Sequence, residues 1–271
     1  MKIDHSFLIE KIRFCGEISK KYFLSDKKID FKTKEDGSKV TQVDKEISNY
    51  LEKELYKQYP NIKFFSEEKS SNLVNLPDEK NFFLVDPVDG TNSFIKKEKE
   101  FTINLSYVSN EKLIFSCILS PIENILYFSD QENSYKVFKN KITKLVNKNN
   151  NLLNFYRVIA TRRKDELLKI NKALKKNKIK YELNYFSSSI KFCVIADGDA
   201  DIYIRRANIK LWDVIAGFHI ANNANFFIRD GIGNNVLEYL LNRDYLKEIQ
   251  KKEFRICEFL VQNTDKMKFK F

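Results

Sequence analysis

Asp86-Pro87-Val88-Asp89-Gly90-Thr91 sets two carboxylates three residues apart, directly after the apolar run Phe82-Phe83-Leu84-Val85. The run reads as a short buried strand, and the acids as the turn in which that strand breaks. Pro87 fixes φ and has no N–H, while Gly90 permits a backbone that residues with a Cβ resist. The loop can therefore aim both carboxylates and a main-chain carbonyl at one point. Two anions held that close need a cation between them, and oxygen-only ligation suits Mg²⁺. Asp-Pro and Asp-Gly are also ordinary turn formers, so this stretch alone leaves a plain turn open.

On the N-terminal side, residues 3–24 carry Phe7, Leu8, Ile12, Phe14, Cys15, Ile18 and Phe23, broadly a helical stripe. Val43, Ile47, Tyr50, Leu51 and Leu55 predict a second helix, starting near Thr41 or Gln42 with Asp44 in its first turn. Asp44 could serve there only to complement the helix dipole. An extended Ile62 to Phe65 leads into Ser66-Glu67-Glu68, and Thr102 to Phe138 reads as strands and turns. The lysine- and asparagine-rich stretch from Lys139 to Asn151 has little to bury and marks a boundary.

Beyond it, strand and helix signals alternate. Tyr156 to Ala160 reads as a strand, Lys164 to Lys176 as a helix, and Ile190, Val194 and Ile195 as a helical stripe. Asp201 to Ile204 reads as extended, Trp212 to Asn223 as helical, Phe226 to Ile228 as extended, and Phe254 to Leu260 as a closing strand. The expectation is an α/β chain: an α+β half over residues 1–150, carrying most of the acids, and an α/β half over 151–271.

A chain of 271 residues, 43% apolar and 14% aromatic, can bury a large core. No run approaches the ~20 apolar residues of a bilayer span, and the start lacks the apolar centre of a signal peptide, which points to the cytoplasm. Peripheral membrane association stays open. Cys15, Cys117, Cys193 and Cys257 lie far apart in apolar stretches without zinc-site spacing, and read as reduced, buried thiols. The net charge of +11 comes from lysines scattered along the whole chain. No nucleic-acid-binding motif accompanies them, so the charge favours small anionic substrates rather than RNA or DNA. His5 reads as part of a loose end and His219 as a core residue in an apolar helix.

Two further acidic pieces join the loop: Ser66-Glu67-Glu68 at a strand end, and Leu211-Trp212-Asp213 at a helix start. Singly, these read as surface acids or a helix cap. In order, Val40-Thr41-Gln42-Val43-Asp44, Ser66-Glu67-Glu68, Asp86 to Thr91 and Trp212-Asp213-Val214-Ile215-Ala216-Gly217 resemble the inositol monophosphatase superfamily of Mg²⁺-dependent, lithium-sensitive phosphatases. The resemblance runs over about residues 30–260 and implies a layered αβαβα sandwich. It also implies two or three Mg²⁺ ions held by Glu67, Asp86, the Val88 carbonyl, Asp89 and Asp213, with Asp44 reaching a further ion through water. Glu67 and Thr91 would hold and help deprotonate the attacking water.

Within the superfamily, Asn92 to Lys97, Glu100 to Asn104, Ser188-Ser189-Ile190-Lys191-Phe192-Cys193, Ala196-Asp197-Gly198 and Asp201 to Arg205 resemble the 3'(2'),5'-bisphosphate nucleotidases. The resemblance implies hydrolysis of the 3'-phosphate of adenosine 3',5'-bisphosphate to AMP, a clean-up step linked to sulfur metabolism. Val88, Asp89, Gly90, Thr91, Ser188, Lys191, Arg205 and Asp213 would then contact substrate. A second phosphate needs cations of its own, the sense of Lys191 and Arg205. Taken alone, Lys191 reads as a solvated helix face and Arg205 as a surface ion pair. The alternative is an inositol or sugar monophosphatase on the same fold, acting as a monomer or homodimer. Departures from the pattern are Ser187 for a glycine, Thr161-Arg162 for Ser-Arg, Arg206-Ala207-Asn208, and Asn225, which can stand in for a turn glycine because it tolerates left-handed backbone.

Overall fold

The computed structural model describes residues 3–147 and 155–264. Helix α1 (His5–Phe23) begins on Asp4, whose carboxylate accepts from the amides of Ser6 and Phe7. A hairpin, β1 (Phe31–Thr33) and β2 (Lys39–Thr41), leads into helix α2 (Gln42–Gln58). Helix α2 opens on a capping box in which the Thr41 hydroxyl accepts from the Val43 amide and Asp44 accepts from the Thr41 amide.

A seven-stranded sheet follows, in sequential order: β3 (Lys63–Ser66), β4 (Asn81–Asp89), β5 (Thr102–Ser109), β6 (Lys112–Ser120), β7 (Ile125–Ser129), β8 (Ser134–Phe138) and β9 (Lys141–Leu145). Only β3 and β4 pair in parallel, joined through the short helix α3 (Ser70–Leu73) and a 3₁₀ turn, Leu76–Asp78. Helix α4 (Thr91–Ile95) leaves the end of β4.

The second sheet is built from β10 (Phe155–Ala160), α5 (Lys164–Lys176), β11 (Lys180–Tyr185), α6 (Ile190–Ala196) and β12 (Ile202–Arg205). After β13 (Ile209–Lys210), the chain continues through α7 (Ile215–Asn223), β14 (Phe227–Asp230), α8 (Arg243–Gln250), β15 (Arg255–Ile256) and β16 (Phe259–Gln262). Its strand order is β11-β10-β12-β16-β14, parallel across β11, β10 and β12 and antiparallel at β16.

Periodicity explains the layering. Along β4, Phe83 and Val85 face α1 and α2, while Phe82 and Leu84 face the opposite core, so a strand buried on both sides reads as a continuous apolar run. Each such side chain contributes roughly 1.5–3 kcal/mol by leaving water. Helices α6 and α7 fill the space between the sheets, with Phe192 and Phe218 packed edge-on. Ile170, Ala173 and Leu174 of α5 cover the outer face of the second sheet. The result is the expected αβαβα sandwich.

Several details differ from the sequence reading. Strand β4 does not break at Asp86; it runs on to Asp89 through an irregularity opposite β5, and Pro87, with no N–H to offer, sits in that irregular step. His5 is not a loose end but the first residue of α1, its ring 4.8 Å from that of Phe115. Cys257 is exposed, whereas the other three thiols are buried as expected. The presumed boundary contains β9, the sheet's edge strand, with Leu145 buried; residues 148–151 of that stretch lie outside the described residues. Asn225 does take a left-handed backbone, φ 66°, and closes the end of α7 as its side chain permits. His219 is buried, its Nδ1 3.0 Å from the Ser116 hydroxyl. Among the described residues, no helix is long and apolar enough to cross a membrane.

Candidate metal centre

Parallel pairing of β3 and β4 puts their carboxyl ends side by side, with the Glu67 amide donating to the Val85 carbonyl. Glu67 leaves the end of β3, Asp86 projects from the last turns of β4, and the 3₁₀ turn Leu211–Asp213 delivers Asp213 from the start of α7. Oxygens of Glu67, Asp86 and Asp213 all lie within 4.8 Å of one another. Three acids from separate parts of the sequence thus meet at one point.

Asp89 stands beside this trio. Its Oδ2 lies 2.6 Å from the Ser189 hydroxyl and accepts from the Asn104 amide at 3.3 Å. The Ser189 oxygen is also 2.7 Å from the Asp213 carbonyl, so one buried serine ties the β4 acid to the turn carrying Asp213. Gly90 follows with φ 90°; a Cβ there would stand 3.0 Å from the Glu100 carbonyl and 3.1 Å from Ser188 Cβ. Only glycine fits both the backbone and the space. The Thr91 hydroxyl donates to the Val88 carbonyl at 3.0 Å.

The electrostatics are those of a cation site. Burial pushes Asp86 and Asp213 well above the usual carboxylate range; Glu67 and Asp89 push Asp86 further, and Asp89 and Glu67 push Asp213 further. Among the described residues, neither forms an ion pair. Asp44, buried and outside the trio, is raised to about 7 by burial, against the hydrogen bonds it accepts from Thr41. Glu67 and Glu68 share the Lys34 ammonium, at 3.0 and 2.7 Å, brought over by the β1–β2 hairpin. Burial pulls the Lys34 pKa down, but the two glutamates outweigh it and raise it.

A cleft of about 550 Å³ is lined by the acids and also by Lys191 and Arg205. Both are buried, at 8% and 7% exposure, which replaces the solvated helix face and surface ion pair that each would be alone. Burial lowers the Lys191 pKa to about 8; Asp89 opposes this and Arg205 adds to it. Arg205 Nη1 lies 3.5 Å from the buried Glu166. Ser188, with φ 50°, and Gly90 line the same cleft.

Every residue singled out from the sequence except Asp44 lines this one cleft. Sequence reasoning missed Lys34, Ser189, Asn104 and Glu166. Ser189 was legible as the second serine of a pair, but Lys34 and Glu166 look like any surface charge until the hairpin and α5 are folded over the site.

The inositol monophosphatase family model matches residues 5–254. The 3'(2'),5'-bisphosphate nucleotidase CysQ of Buchnera aphidicola is 32% identical over 230 residues, 85% of each chain. Among solved structures, CysQ from Bacteroides thetaiotaomicron aligns with TM-score 0.72 at 22% identity, covering 95% of this chain and 96% of its own. An IMPase/NADP phosphatase complexed with Mg²⁺ and phosphate aligns with TM-score 0.75 at 19% identity, covering 96% and 90%. With its fold, its ordered acidic motifs and a match over nearly its whole length, the chain belongs to the inositol monophosphatase family.

Proposed function

We propose that the chain is a Mg²⁺-dependent phosphatase that removes the 3'-phosphate of adenosine 3',5'-bisphosphate, leaving AMP. The observation that carries this reading is one cleft lined both by the clustered carboxylates and by two buried cations, Lys191 and Arg205. A monophosphate would use only the carboxylate group. A bisphosphate uses both. The nucleotidase names of the similar curated proteins support the same reading.

The donor set fits the metal: hard oxygen ligands crowded together, with Asp86 buried and, among the described residues, Asp86 and Asp213 in no ion pair, are what Mg²⁺ accepts. Glu67, Asp86, Asp213, Asp89 and the Val88 carbonyl are the residues that would hold it, with Asp44 behind Glu67 and Glu68 for a further ion reached through water. Bound Mg²⁺ supplies neutralisation of the phosphate charge and a lowered pKa for the attacking water. Thr91, whose proton is committed to the Val88 carbonyl, presents its oxygen as an acceptor that orients that water. Glu67 takes the water's proton. Lys191 and Arg205 hold the 5'-phosphate, and Ser188 and Gly90 line the cleft around the substrate. No histidine is required, in keeping with His219 serving the core. We assign the activity to a cytoplasmic enzyme acting on a small nucleotide.

The test is a phosphate-release panel of adenosine 3',5'-bisphosphate, inositol monophosphate and fructose bisphosphate, with and without Mg²⁺ and Li⁺. The bisphosphate nucleotide is turned over fastest, only with Mg²⁺, and Li⁺ inhibits. Lys191→Ala lowers kcat/KM for the nucleotide at least tenfold, the effect of one charge-assisted contact. Faster release from inositol monophosphate, undisturbed by Lys191→Ala, would overturn the reading.

A further inference from the structure

We infer that Glu166 is a positioning residue: from the first turn of α5 it fixes the Arg205 guanidinium so that its remaining edge faces the anion in the cleft. The inference rests on the bisphosphate reading above and adds a residue to it. An acid in the first turn of a helix ordinarily faces water and complements the dipole, as its exposed neighbour Asp165 does. Glu166 instead points inward and is 1% exposed.

A carboxylate buried that deeply is destabilising unless it is paired and hydrogen-bonded. Both conditions are met by adjacent residues at the end of β12. Oε1 accepts from the Arg206 amide at 2.9 Å, which pins the carboxylate to the backbone, and Oε2 stands 3.5 Å from Arg205 Nη1. Arg205 lines the cleft; Glu166 does not. The carboxylate therefore meets the guanidinium from outside the cleft lining. Among the described residues, neither Arg205 Nε nor Glu166 Oε2 makes a hydrogen bond, so the contact between the two side chains is an ion pair and the fork keeps Nε in reserve.

A planar fork with five donors discriminates only when its plane is fixed, since bidentate contact to phosphate depends on orientation. Among the described residues, Lys191, the other cation of the pair, forms no ion pair; its ammonium lies 5.8 Å from the Tyr203 ring, and as a point charge it needs no orienting. The division is chemical: one cation supplies charge, the other directed hydrogen bonds, and Glu166 serves the second.

The experiment compares kcat/KM for adenosine 3',5'-bisphosphate with kcat/KM for 3'-AMP, which lacks the second phosphate. Wild type, Glu166→Gln, Arg205→Gln and the double variant are measured. Glu166→Gln keeps the shape and the Arg206 contact but removes the charge that holds the fork. The ratio of the two constants falls about tenfold, mainly through KM for the bisphosphate, which is the effect of one charge-assisted hydrogen bond. The double variant falls no further than Arg205→Gln alone, because Glu166 acts through Arg205. Glu166→Asp, a carboxylate one methylene short, falls in the same direction by less and stands in should Glu166→Gln fail to fold. Equal losses on both substrates, or additive effects in the double variant, overturn the inference while leaving the bisphosphate reading intact. A ratio unmoved by Arg205→Gln overturns the bisphosphate reading itself, and this inference with it.

Discussion

Lys191 and Arg205 are separated by 14 positions in sequence yet face one space, and what unites them is burial rather than charge. Surface cations pervade this chain, so charge alone does not tell these two from the rest; the motifs around them pointed to them, and the fold sets them apart by removing their water. The acids were easier to read, because Asp86, Asp89 and Asp213 sit in short ordered motifs whose spacing carries the chemistry. The same contrast applies to histidine. His219 was legible as a core residue from its apolar helix, and burial lowers its pKa to about 4, against a weaker opposing pull from Asp130. The ordinary value is ~6.5. Between these values the unfolded chain binds a proton that the folded chain refuses, so stability rises with pH across about 4 to 6.5 and is lost as pH falls. Urea denaturation at pH 7.5 and 5.0 should show a loss for wild type exceeding that of His219→Gln by about 1–2 kcal/mol. An identical pH dependence in both would show that His219 already titrates normally in the folded protein.

Helix α7 meets α6 where Gly217 faces Phe192, and a Cβ on Gly217 would lie 2.2 Å from that ring. Phe192 is itself packed edge-on against Tyr203 and Phe218 and stacked on Phe259, so it has nowhere to retreat. Gly217→Ala should cost at least about 2 kcal/mol by overpacking, read as a lowered urea midpoint. Because Lys191 precedes Phe192 on α6, KM for the bisphosphate should rise as well; a variant as stable as wild type would mean the two helices slide apart freely. The helices and inner strands were legible because they bury one or both faces and so keep a clean period. Strand β9 was not, and β8 was read only within the general run of strands and turns to Phe138. In β9, Lys141 to Lys144 are all exposed at the sheet's edge, where lysines block further strand addition and erase the apolar alternation that would reveal a strand. The β1–β2 hairpin was hidden for a similar reason: β1 is exposed throughout, and its importance lies in carrying Lys34 to Glu67 and Glu68.

The molecule as a whole concentrates a few buried anions inside a chain of net charge +11. Under the proposed function, the overall charge draws anionic substrates toward the surface, and the clustered acids store repulsion that a divalent cation relieves. Layering makes this arrangement sturdy: the acids hang from the ends of two adjacent strands and one helix start, each anchored in a separate part of the core. The central claim is that Glu67, Asp86 and Asp213 share one cation, and thermal unfolding with and without Mg²⁺ tests it most directly. Without metal, Asp213→Asn should melt at or above wild type, because one buried charge is gone. At Mg²⁺ one hundred times its Kd, wild type should gain about 5 °C, from roughly 2.7 kcal/mol of binding linkage, and Asp213→Asn should gain little. A wild type that Mg²⁺ leaves unmoved, or an Asp213→Asn variant that gains as much as wild type, would contradict the shared site.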